Sequence, residues 1–525
     1  MAERCGCLEM PERFVMAFDI GTTMIKSSLV NAHTLEIEAS RASRVEVLYP
    51  KEGWAEQEPD ALWASVAEAS RATLAESGVD PGSIIGLVFG AHMAGVLPVD
   101  GEGRPLRNMM IWLDERAAGL PEEIWRGFPK VAGYNLFKLL KFLRITGGAP
   151  SKTGKDPISK IIWLRENEPD VYRATFKFLD VKGYLINRAT GAFITSPDEA
   201  NLTWLADTRG GQARWSESLL RDFDIPFEAM PEIKLATDVA GELKPEAAED
   251  LDLKPGTPVV VGAGDITVAA VGSGAVGEGE LHIYIGTSDW VAGHVSERKT
   301  DVSHYIGSLL SAIPGKYLLI AEQEVASAAL EWLMDMAGLK GKYDEVEELV
   351  REAEPGAGNL IFMPWFYGER APIDDPYVRG GLLNISLDHG RGELFRAIME
   401  GVAFNVRWAY QYVEKLVGHK EQVNLIGGGA LFDIWCQILA DVLQREVRRM
   451  AYPQEAGVRG AAAIAAVGLG VFESFEEAVS RFAVEKIFKP DPERAKVYDR
   501  LFDFFVEAYK RTKRLYRALN KAGQR

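Results

Sequence analysis

This chain of 525 residues has few cysteines, no long hydrophobic run and fewer basic than acidic residues. Only three cysteines occur, Cys5, Cys7 and Cys436, which excludes a disulfide framework and favours a reducing cytoplasm. Cys5 and Cys7 flank a single glycine, and no second Cys or His pair lies nearby. The pair therefore does not predict a zinc site.

The charge balance is acidic, with 76 Asp and Glu against 59 Lys and Arg and a formal net charge of -17. This balance disfavours nucleic acid and anionic membranes as main partners. An anionic ligand would need a local pocket of backbone N–H groups or a metal ion. The longest apolar run, residues 460–472, is too short to cross a bilayer of about 30 Å. Because the N-terminus also lacks the apolar core of a signal peptide, no membrane association is expected.

The length fits two or three domains, and the pattern of the first half alternates strands with helices. Residues 59–76 predict an amphipathic helix, and the residues from 147 to 156 predict an exposed loop without P-loop spacing. Predicted strands cover residues 14–18, 27–30, 35–48 and 84–89. This alternation indicates an α/β protein.

The segment FVMAFDIGTTMIK, residues 14–26, leads an apolar strand into an acid, a glycine and two hydroxyls. Gly21 permits a tight turn where a side chain would block a ligand. Backbone N–H groups and the hydroxyls of Thr22 and Thr23 suit a phosphate, and Asp19 suits a hydrated magnesium ion. Taken alone, the segment is equally compatible with an ordinary hairpin.

Three further strands end in comparable turns. LHIYIGTS, residues 281–288, repeats the Gly-Thr-hydroxyl ending about 265 residues after the first, which predicts two related lobes around a shared phosphate. PVVVGAGD, residues 258–265, ends in a carboxylate, and QVNLIGGGA, residues 422–430, precedes a helix predicted over residues 431–443. Glycines in such turns let a flat base or ribose lie against the backbone.

Taken in order, these turns resemble those of the FGGY family of carbohydrate kinases, within the actin-like ATPase superfamily, and its xylulokinase-like branch most closely. The resemblance extends from about Phe14 to about Phe472. It is most specific at MPWFYGERAP, residues 363–372, which is similar to the family's G-E-R-x-P signature. LFRAIMEGVAF, residues 394–404, resembles the family helix that follows this signature.

The resemblance implies an α/β fold of two actin-like, ribonuclease H-like lobes, each a central mixed sheet flanked by helices, with a cleft between the lobes. The expected domains are an N-terminal extension over residues 1–12, a first lobe over 13–275 that binds sugar and phosphate, and a second lobe over 276–525 that binds nucleotide and ends in a C-terminal helix.

The resemblance also implies roles for individual residues. Asp265 would be the catalytic base, which accepts the proton of a sugar hydroxyl as that oxygen attacks the γ-phosphate of ATP. From its position alone, Asp265 could instead cap a helix. Asp19 and Asp265 would hold Mg²⁺, largely through water. The residues expected to contact ATP and its phosphates are Gly21, Thr22, Thr23, Lys26, Gly286, Thr287, Ser288, Gly427, Gly428, Gly429 and Ala430.

The substrate side departs from the family pattern at two positions. Ala94 stands where a substrate-contacting histidine is expected, and Gly183 stands where aspartate is common, so the sugar stays open. His92 either reaches into the site or completes a turn. In WLDER, residues 112–116, the acid and the base either fix substrate hydroxyls or pair with one another. The residues expected to contact substrate are His92, Met93, Trp112, Asp114 and Asp265.

The resemblance therefore implies a cytoplasmic phosphotransferase that moves the γ-phosphoryl group of ATP to an alcohol group of a small sugar, a pentulose or a related ketose or polyol. Homodimers are frequent in such a family. The alternatives are a glycerol kinase-like enzyme and a non-catalytic ATP-binding sugar sensor or actin-like scaffold.

Two helices are also predicted in the second half. Glu322, Gln323 and Glu324 are expected to open a helix over residues 325–334. A C-terminal helix over residues 490–519 is expected to pack on the second lobe through Val497, Leu501, Phe504, Phe505 and Tyr509.

Overall fold

The computed structural model describes residues 12–131 and 133–521, and Cys5 and Cys7 lie outside the described residues. The described chain forms two compact units. Unit 1 contains the residues up to Gly272 together with Leu310–Pro314 and Gly457–Arg481. Unit 2 contains Ser273–Leu309, Gly315–Ala456 and the residues from Phe482 onward. The two short segments of unit 1 fall within the range that the sequence analysis assigned to the second lobe.

A six-stranded sheet forms the centre of unit 1, in the order β5-β6-β4-β1-β2-β3. Strand β1 pairs antiparallel with β2 and parallel with β4, and β4 pairs parallel with β6. The five residues that begin β1 are at most 2% exposed, as expected for a continuous apolar strand covered on both faces. The strands are β1 (Phe14–Ile20), β2 (Met24–Asn31), β3 (Ile37–Arg44), β4 (Ile84–Ala91), β5 (Val239–Glu242) and β6 (Pro258–Gly264).

The helices of unit 1 flank this sheet and a second, smaller core around Trp125, Phe142 and Ile161. The predicted amphipathic helix is confirmed as Pro59–Ser77, which begins at a proline and ends at the left-handed Gly78. The other helices are Pro121–Ile124, Leu136–Thr146, Pro157–Asn167, Pro169–Ala174, Val181–Thr190, Pro197–Leu202, Glu217–Asp222, Pro245–Leu251, Asp265–Gly272, Ala456–Gly468 and Phe475–Val479. Short strands are Glu56–Gln57, Leu97–Val99, Met109–Met110, Lys130–Val131, Tyr134–Asn135, Lys177–Leu179, Ile194–Thr195, Ala206–Asp207, Arg214–Trp215 and Glu232–Ile233.

A seven-stranded sheet forms the centre of unit 2, in the order β9-β10-β8-β7-β11-β12-β13. Strand β7 pairs antiparallel with β8 and parallel with β11, as β1 does with β2 and β4. The predicted pair of related lobes with mixed sheets is therefore confirmed for each unit by itself. The strands are β7 (Leu281–Ile285), β8 (Asp289–Val295), β9 (Gly307–Leu310), β10 (Tyr317–Gln323), β11 (Gln422–Ile426), β12 (Glu446–Met450) and β13 (Val484–Phe488).

The helices of unit 2 correct two details of the sequence analysis. Strand β10 continues through Gln323, because Glu322 pairs with Trp290 of β8, and the next helix begins only at Ser327. In the C-terminal helix Phe504 is 57% exposed, and Phe502 takes the expected buried place. The helices are Ser327–Met336, Tyr343–Glu352, Arg391–Val417, Asp433–Leu443 and Pro492–Asn520, with short strands Ile361–Met363 and Gly381–Leu383. In residues 12–131 and 133–521, no helix has the length and apolarity needed to cross a membrane.

Candidate active site

The turn at residues 21–23, here called the first hairpin turn, joins β1 to β2. Its backbone closes through a hydrogen bond of 2.9 Å from Gly21 N to Met24 O. Thr22 is half-buried and Thr23 is exposed. Asp19 lies directly opposite Lys26 in the antiparallel ladder. The hairpin interpretation is therefore right, and the turn still presents the hydroxyls and the carboxylate that a phosphate and a hydrated cation require.

A chain of side chains supports the first hairpin turn. Gln57 Nε2 donates to Thr22 O at 2.8 Å, and Trp112 Nε1 donates to Thr22 Oγ1 at 2.9 Å. His92 Nε2 lies 3.1 Å from Gln57 Oε1, and His92 is 2% exposed. Because an amide oxygen only accepts, His92 Nε2 carries the proton in this contact. Burial, with the nearby charge of Lys160, lowers the pKa of His92 to about 4, so its ring is neutral at pH 7.

Asp265 begins the helix that follows β6. Its Oδ1 accepts from Ile266 N at 2.8 Å, and the residue is half-buried. Met93 packs against this corner, because a Cβ atom on Gly264 would lie 2.5 Å from Met93 Sδ. Strand β4 pairs parallel with both β1 and β6, so the carboxyl ends of these strands, which lead to Asp19 and Asp265, lie at the same edge of the sheet. Strands β1 and β6 are about 10 Å apart.

Asp198 fixes the corner before Asp265, and the sequence analysis missed it. Asp198 Oδ2 accepts from Gly264 N at 2.7 Å and also from Thr267 Oγ1. The neighbouring Glu199 is fully buried, and its Oε2 accepts from Ala94 N at 3.4 Å. Burial, with the charges of Asp180 and Asp198, raises the pKa of Glu199 well above its usual range. The acidic pair in TSPDEAN, residues 195–201, was the available signal.

Asp114 pairs with Arg116, which is one of the two alternatives that the sequence left open. Its carboxylate is fully buried and accepts from Ala55 N at 2.7 Å and from Arg116 Nη2 at 2.7 Å. Arg116 also binds Glu56 at 2.6 Å, and its guanidinium lies 3.8 Å from the centre of the Trp54 ring. This network holds the segment that carries Trp112, so a contact of Asp114 with substrate stays a prediction.

Lys160 connects the loop that contains Ala94 to the segment that contains Ile111 and Trp112. Its Nζ donates to Ala94 O at 2.9 Å and to Ile111 O at 2.7 Å. Full burial is the main cause that lowers the pKa of Lys160 to about 7. The side chain therefore ties the loop of His92 and Ala94 to the residue before Trp112, a structural task for which a long donor is suited.

Unit 2 carries the other predicted turns at one edge of its sheet. Residues 286–288, here the second hairpin turn, join β7 to β8, and Gly286 N donates to Ser288 O at 2.9 Å. Residues 427–430, here the glycine turn, follow β11, the parallel neighbour of β7. Gly427 has a φ of 93°, and a Cβ atom there would overlap the backbone of Ile285. Glycine is thus required where the two turns approach.

Candidate cation ligands in unit 1 are carboxylates at the sheet edge. Asp19 Oδ2 packs against Gly457, where a Cβ atom would lie 2.6 Å away. In the part of the chain that the structure describes, no group of three or more His, Cys, Asp and Glu side chains is arranged to hold a metal. A magnesium ion at Asp19 and Asp265 would therefore take its other ligands from water and phosphate oxygens.

Comparison with known proteins places these features in a family. The profile of the FGGY family of carbohydrate kinases, N-terminal domain, matches residues 14–272, and that of the C-terminal domain matches residues 281–469. A xylulose kinase of Lactococcus lactis is 29% identical over 95% of this chain and 97% of its own length. A glycerol kinase of Thermococcus gammatolerans is 30% identical over 95% of this chain and 98% of its own length.

The fold agrees with a solved structure. A ligand-bound xylulose kinase from Lactobacillus acidophilus superposes with a TM-score of 0.86 at 24% identity, over 97% of this chain and 100% of that one. Both halves of the family profile, in the order seen in the two units, match this sequence. The chain belongs to the FGGY family of carbohydrate kinases, and it is a phosphotransferase with an alcohol acceptor.

Proposed function

We propose that this protein transfers the γ-phosphoryl group of ATP to a primary hydroxyl of a pentulose or a related ketose or polyol. The observation that carries the proposal is the shared sheet edge of Asp265, Asp19 and the first hairpin turn in unit 1. Phosphoryl transfer needs a base beside the attacking hydroxyl. It also needs groups that neutralise the charge of the phosphate, with the attacking sugar oxygen between the base and the phosphorus. Strands β1 and β6, which lead to the two carboxylates, are separated by one strand and so lie about 10 Å apart, which leaves room for both groups.

In the reaction, the sugar oxygen forms a bond to the γ-phosphorus while the bond from that phosphorus to the β–γ bridging oxygen breaks. Asp265 takes the hydroxyl proton, and ADP leaves with the bridging electrons. Thr22, Thr23 and Lys26 stabilise the phosphoryl oxygens through hydrogen bonds and positive charge. In unit 2, the second hairpin turn and the glycine turn are the proposed nucleotide-binding segments.

Magnesium would supply charge neutralisation for the phosphate oxygens. The carboxylates of Asp19 and Asp265 fit that ion, because Mg²⁺ prefers oxygen ligands and keeps several waters. Neither carboxylate is needed as a direct ligand if the ion is carried in by ATP. Their task is then to orient the waters of the bound ion.

The substrate loop favours a ketose over glycerol. Met93 and Ala94 stand where the resemblance expects the Arg-Glu pair of glycerol kinases. Ala94 also stands where the resemblance expects a substrate-contacting histidine, so the loop does not select a particular ketose. A glycerol kinase-like activity is the second candidate, supported by the 30% identity to the Thermococcus gammatolerans enzyme. Met93, Trp112 and His92 are the proposed walls of the sugar site.

The test is ADP release with ATP and Mg²⁺ across ketoses, aldoses, glycerol and other polyols, with Asp265→Ala beside the natural protein. Asp222→Ala, at an exposed carboxylate of the same unit, is the matched control. Turnover stimulated by a ketose and lost only in Asp265→Ala supports the proposal. Stimulation by glycerol alone supports the second candidate. ATP binding without stimulation by any compound would favour a sensor or scaffold.

The oligomeric state, the cellular location and the absence of a nucleic-acid partner stay predictions. A homodimer, a cytoplasmic location and the lack of a nucleic-acid partner follow from the family resemblance, the cysteine content and the acidic charge of the sequence. Sedimentation at several protein concentrations tests the first.

A further inference from the structure

A group of buried polar side chains lies directly behind the second hairpin turn. Asp289, Gln323, Glu369 and Asn405, here the buried network, are each at most 3% exposed. Asp289 is the first residue after the turn and lies opposite Gln323 in the antiparallel pairing of β8 with β10. Their Cβ atoms are therefore about 5 Å apart on one face of the sheet.

Most donors of the buried network are already engaged. Gln323 Nε2 donates to Ala371 O at 3.1 Å and to Asn405 O at 2.9 Å, which uses both amide hydrogens. Asn405 Nδ2 donates to Glu369 Oε2 at 2.6 Å. Glu369 Oε1 accepts from the backbone N–H groups of Glu324 and Arg370 at 3.0 and 2.8 Å.

The acceptors of the buried network are not all satisfied. Gln323 Oε1 and both carboxyl oxygens of Asp289 have no hydrogen-bond partner among the described residues. An ionised Asp289 would add only acceptors beside Gln323 Oε1, which already lacks a donor, and an unpaired buried carboxylate is strongly disfavoured. A protonated Asp289 becomes a donor, and Gln323 Oε1 is the acceptor across the ladder.

The surrounding charges favour the same protonation state. Burial, with the charge of Glu369, raises the pKa of Asp289 well above its usual range. The pKa of Glu369 itself is raised to about 7, mainly by burial. The cation of this segment, Arg370, binds Glu322 and Glu324. The helix Arg391–Val417 contributes the uncharged Asn405.

We propose that Asp289 is a positioning residue that carries a proton in the folded protein and donates it to Gln323 Oε1. The residue that follows the second hairpin turn is then an uncharged carboxylic acid, that of Asp289. The turn is also held from the β10 side, because Thr287 O and Gly286 O accept from Ala326 N and Ser327 N at 2.9 and 2.8 Å. Loss of the proton would place a negative charge one residue from the turn and oppose anionic phosphate there.

The consequence for ATP rests on the proposed function, which assigns phosphate binding to this turn. ATP affinity should fall as the pH rises through the ionisation of Asp289. Asp289→Asn keeps the shape and an N–H donor for Gln323 Oε1 but has no proton to lose. The variant should therefore lose less ATP affinity at alkaline pH than the natural protein does.

Two measurements test the proposal on the full chain. The infrared difference spectrum of the nucleotide-free natural protein minus Asp289→Asn, taken near pH 7, should contain the carbonyl band of one protonated carboxylic acid. The bands of other buried acids, such as Glu199 and Glu369, are common to both forms and cancel in this difference. Mg-ATP titrations from about pH 6 up to the most alkaline pH at which both forms stay folded should show a loss of affinity that is about tenfold greater in the natural protein than in the variant, a difference of about 1.4 kcal/mol. Asp335→Asn, at an exposed carboxylate of unit 2, should behave as the natural protein does.

The outcomes separate the two proposals. If the difference between the natural protein and Asp289→Asn contains no such band, Asp289 is ionised in the folded protein and the inference is overturned. Equal pH dependence of ATP affinity in the natural protein and Asp289→Asn also overturns it. If the difference contains the band as expected but no form binds ATP at any pH, the proton assignment stands and the proposed function fails.

Discussion

Trp112 donates its indole N–H to Thr22 Oγ1 over 2.9 Å. This bond joins a residue expected at the sugar to a residue expected at the phosphate, both within unit 1. It also fixes the hydroxyl rotamer of Thr22, whose backbone carbonyl is held by Gln57. The position of the first hairpin turn thus depends on side chains from two other segments.

Replacing Trp112 by phenylalanine keeps an aromatic ring, although a smaller one, and removes this donor. Loss of one hydrogen bond of about 1 kcal/mol should lower kcat/KM about fivefold. Steady-state kinetics with the best substrate of the panel measures the effect. Trp332→Phe, at an indole of unit 2 that is 43% exposed, should change it less than twofold, and an equal loss in both variants would remove the role assigned to the bond.

Asp198 should act on turnover through the corner that carries Asp265. Asp198→Asn weakens the bonds from Gly264 N and Thr267 Oγ1, charge-assisted contacts worth about 1.5–3 kcal/mol each. We expect kcat to fall more than KM rises, because the base is displaced while the substrate walls are kept. Thr267→Val removes one of the two bonds and should give a smaller loss. A loss confined to KM would contradict this assignment.

Arg116 should be important for stability. Its guanidinium and the Asp114 carboxylate are both 0% exposed. Arg116→Met would leave Asp114 buried without its cation, while Glu56 would keep Arg107, and we expect a cost of about 3–5 kcal/mol in the free energy of unfolding. Urea denaturation measures it. The exposed pair of Arg173 and Asp170 is the control, since Arg173→Met should cost less than about 1 kcal/mol.

Lys160 should make stability rise with pH above neutrality. Its pKa is about 7 in the folded protein and 10.5 ordinarily, so between these values the unfolded chain binds more protons than the folded one. The free energy of unfolding then increases with pH by up to about 1.4 kcal/mol per unit.

Lys160→Met should remove that slope, whatever its effect on the overall stability. Urea denaturation at several pH values between about 7 and 10 compares the variant with the natural protein. Lys254→Met, at a side chain 60% exposed, should keep the slope. A slope that survives in Lys160→Met would assign it to another group.

The sequence by itself determined the elements and the chemistry of the turns. The continuous apolar run of β1, the proline and glycine at the ends of Pro59–Ser77 and the repeated Gly-Thr endings are local signals, because burial on both faces, helix ends and tight turns are set by neighbouring residues. The same local signals placed Asp265 at the start of a helix. The order of the turns was sufficient to indicate the family.

Only the tertiary structure decided which side chains, distant in the sequence, hold the turns and neighbouring segments in place by hydrogen bonds. Asp114 is separated from Ala55 by 59 residues and Asp198 from Gly264 by 66, and no local pattern predicts such pairs. The same is true of Gln323 and Asn405 behind the second hairpin turn. These polar residues are buried, and a polar group removed from water is stable only with a hydrogen-bond partner. That partner is supplied by whichever segment the fold places beside it.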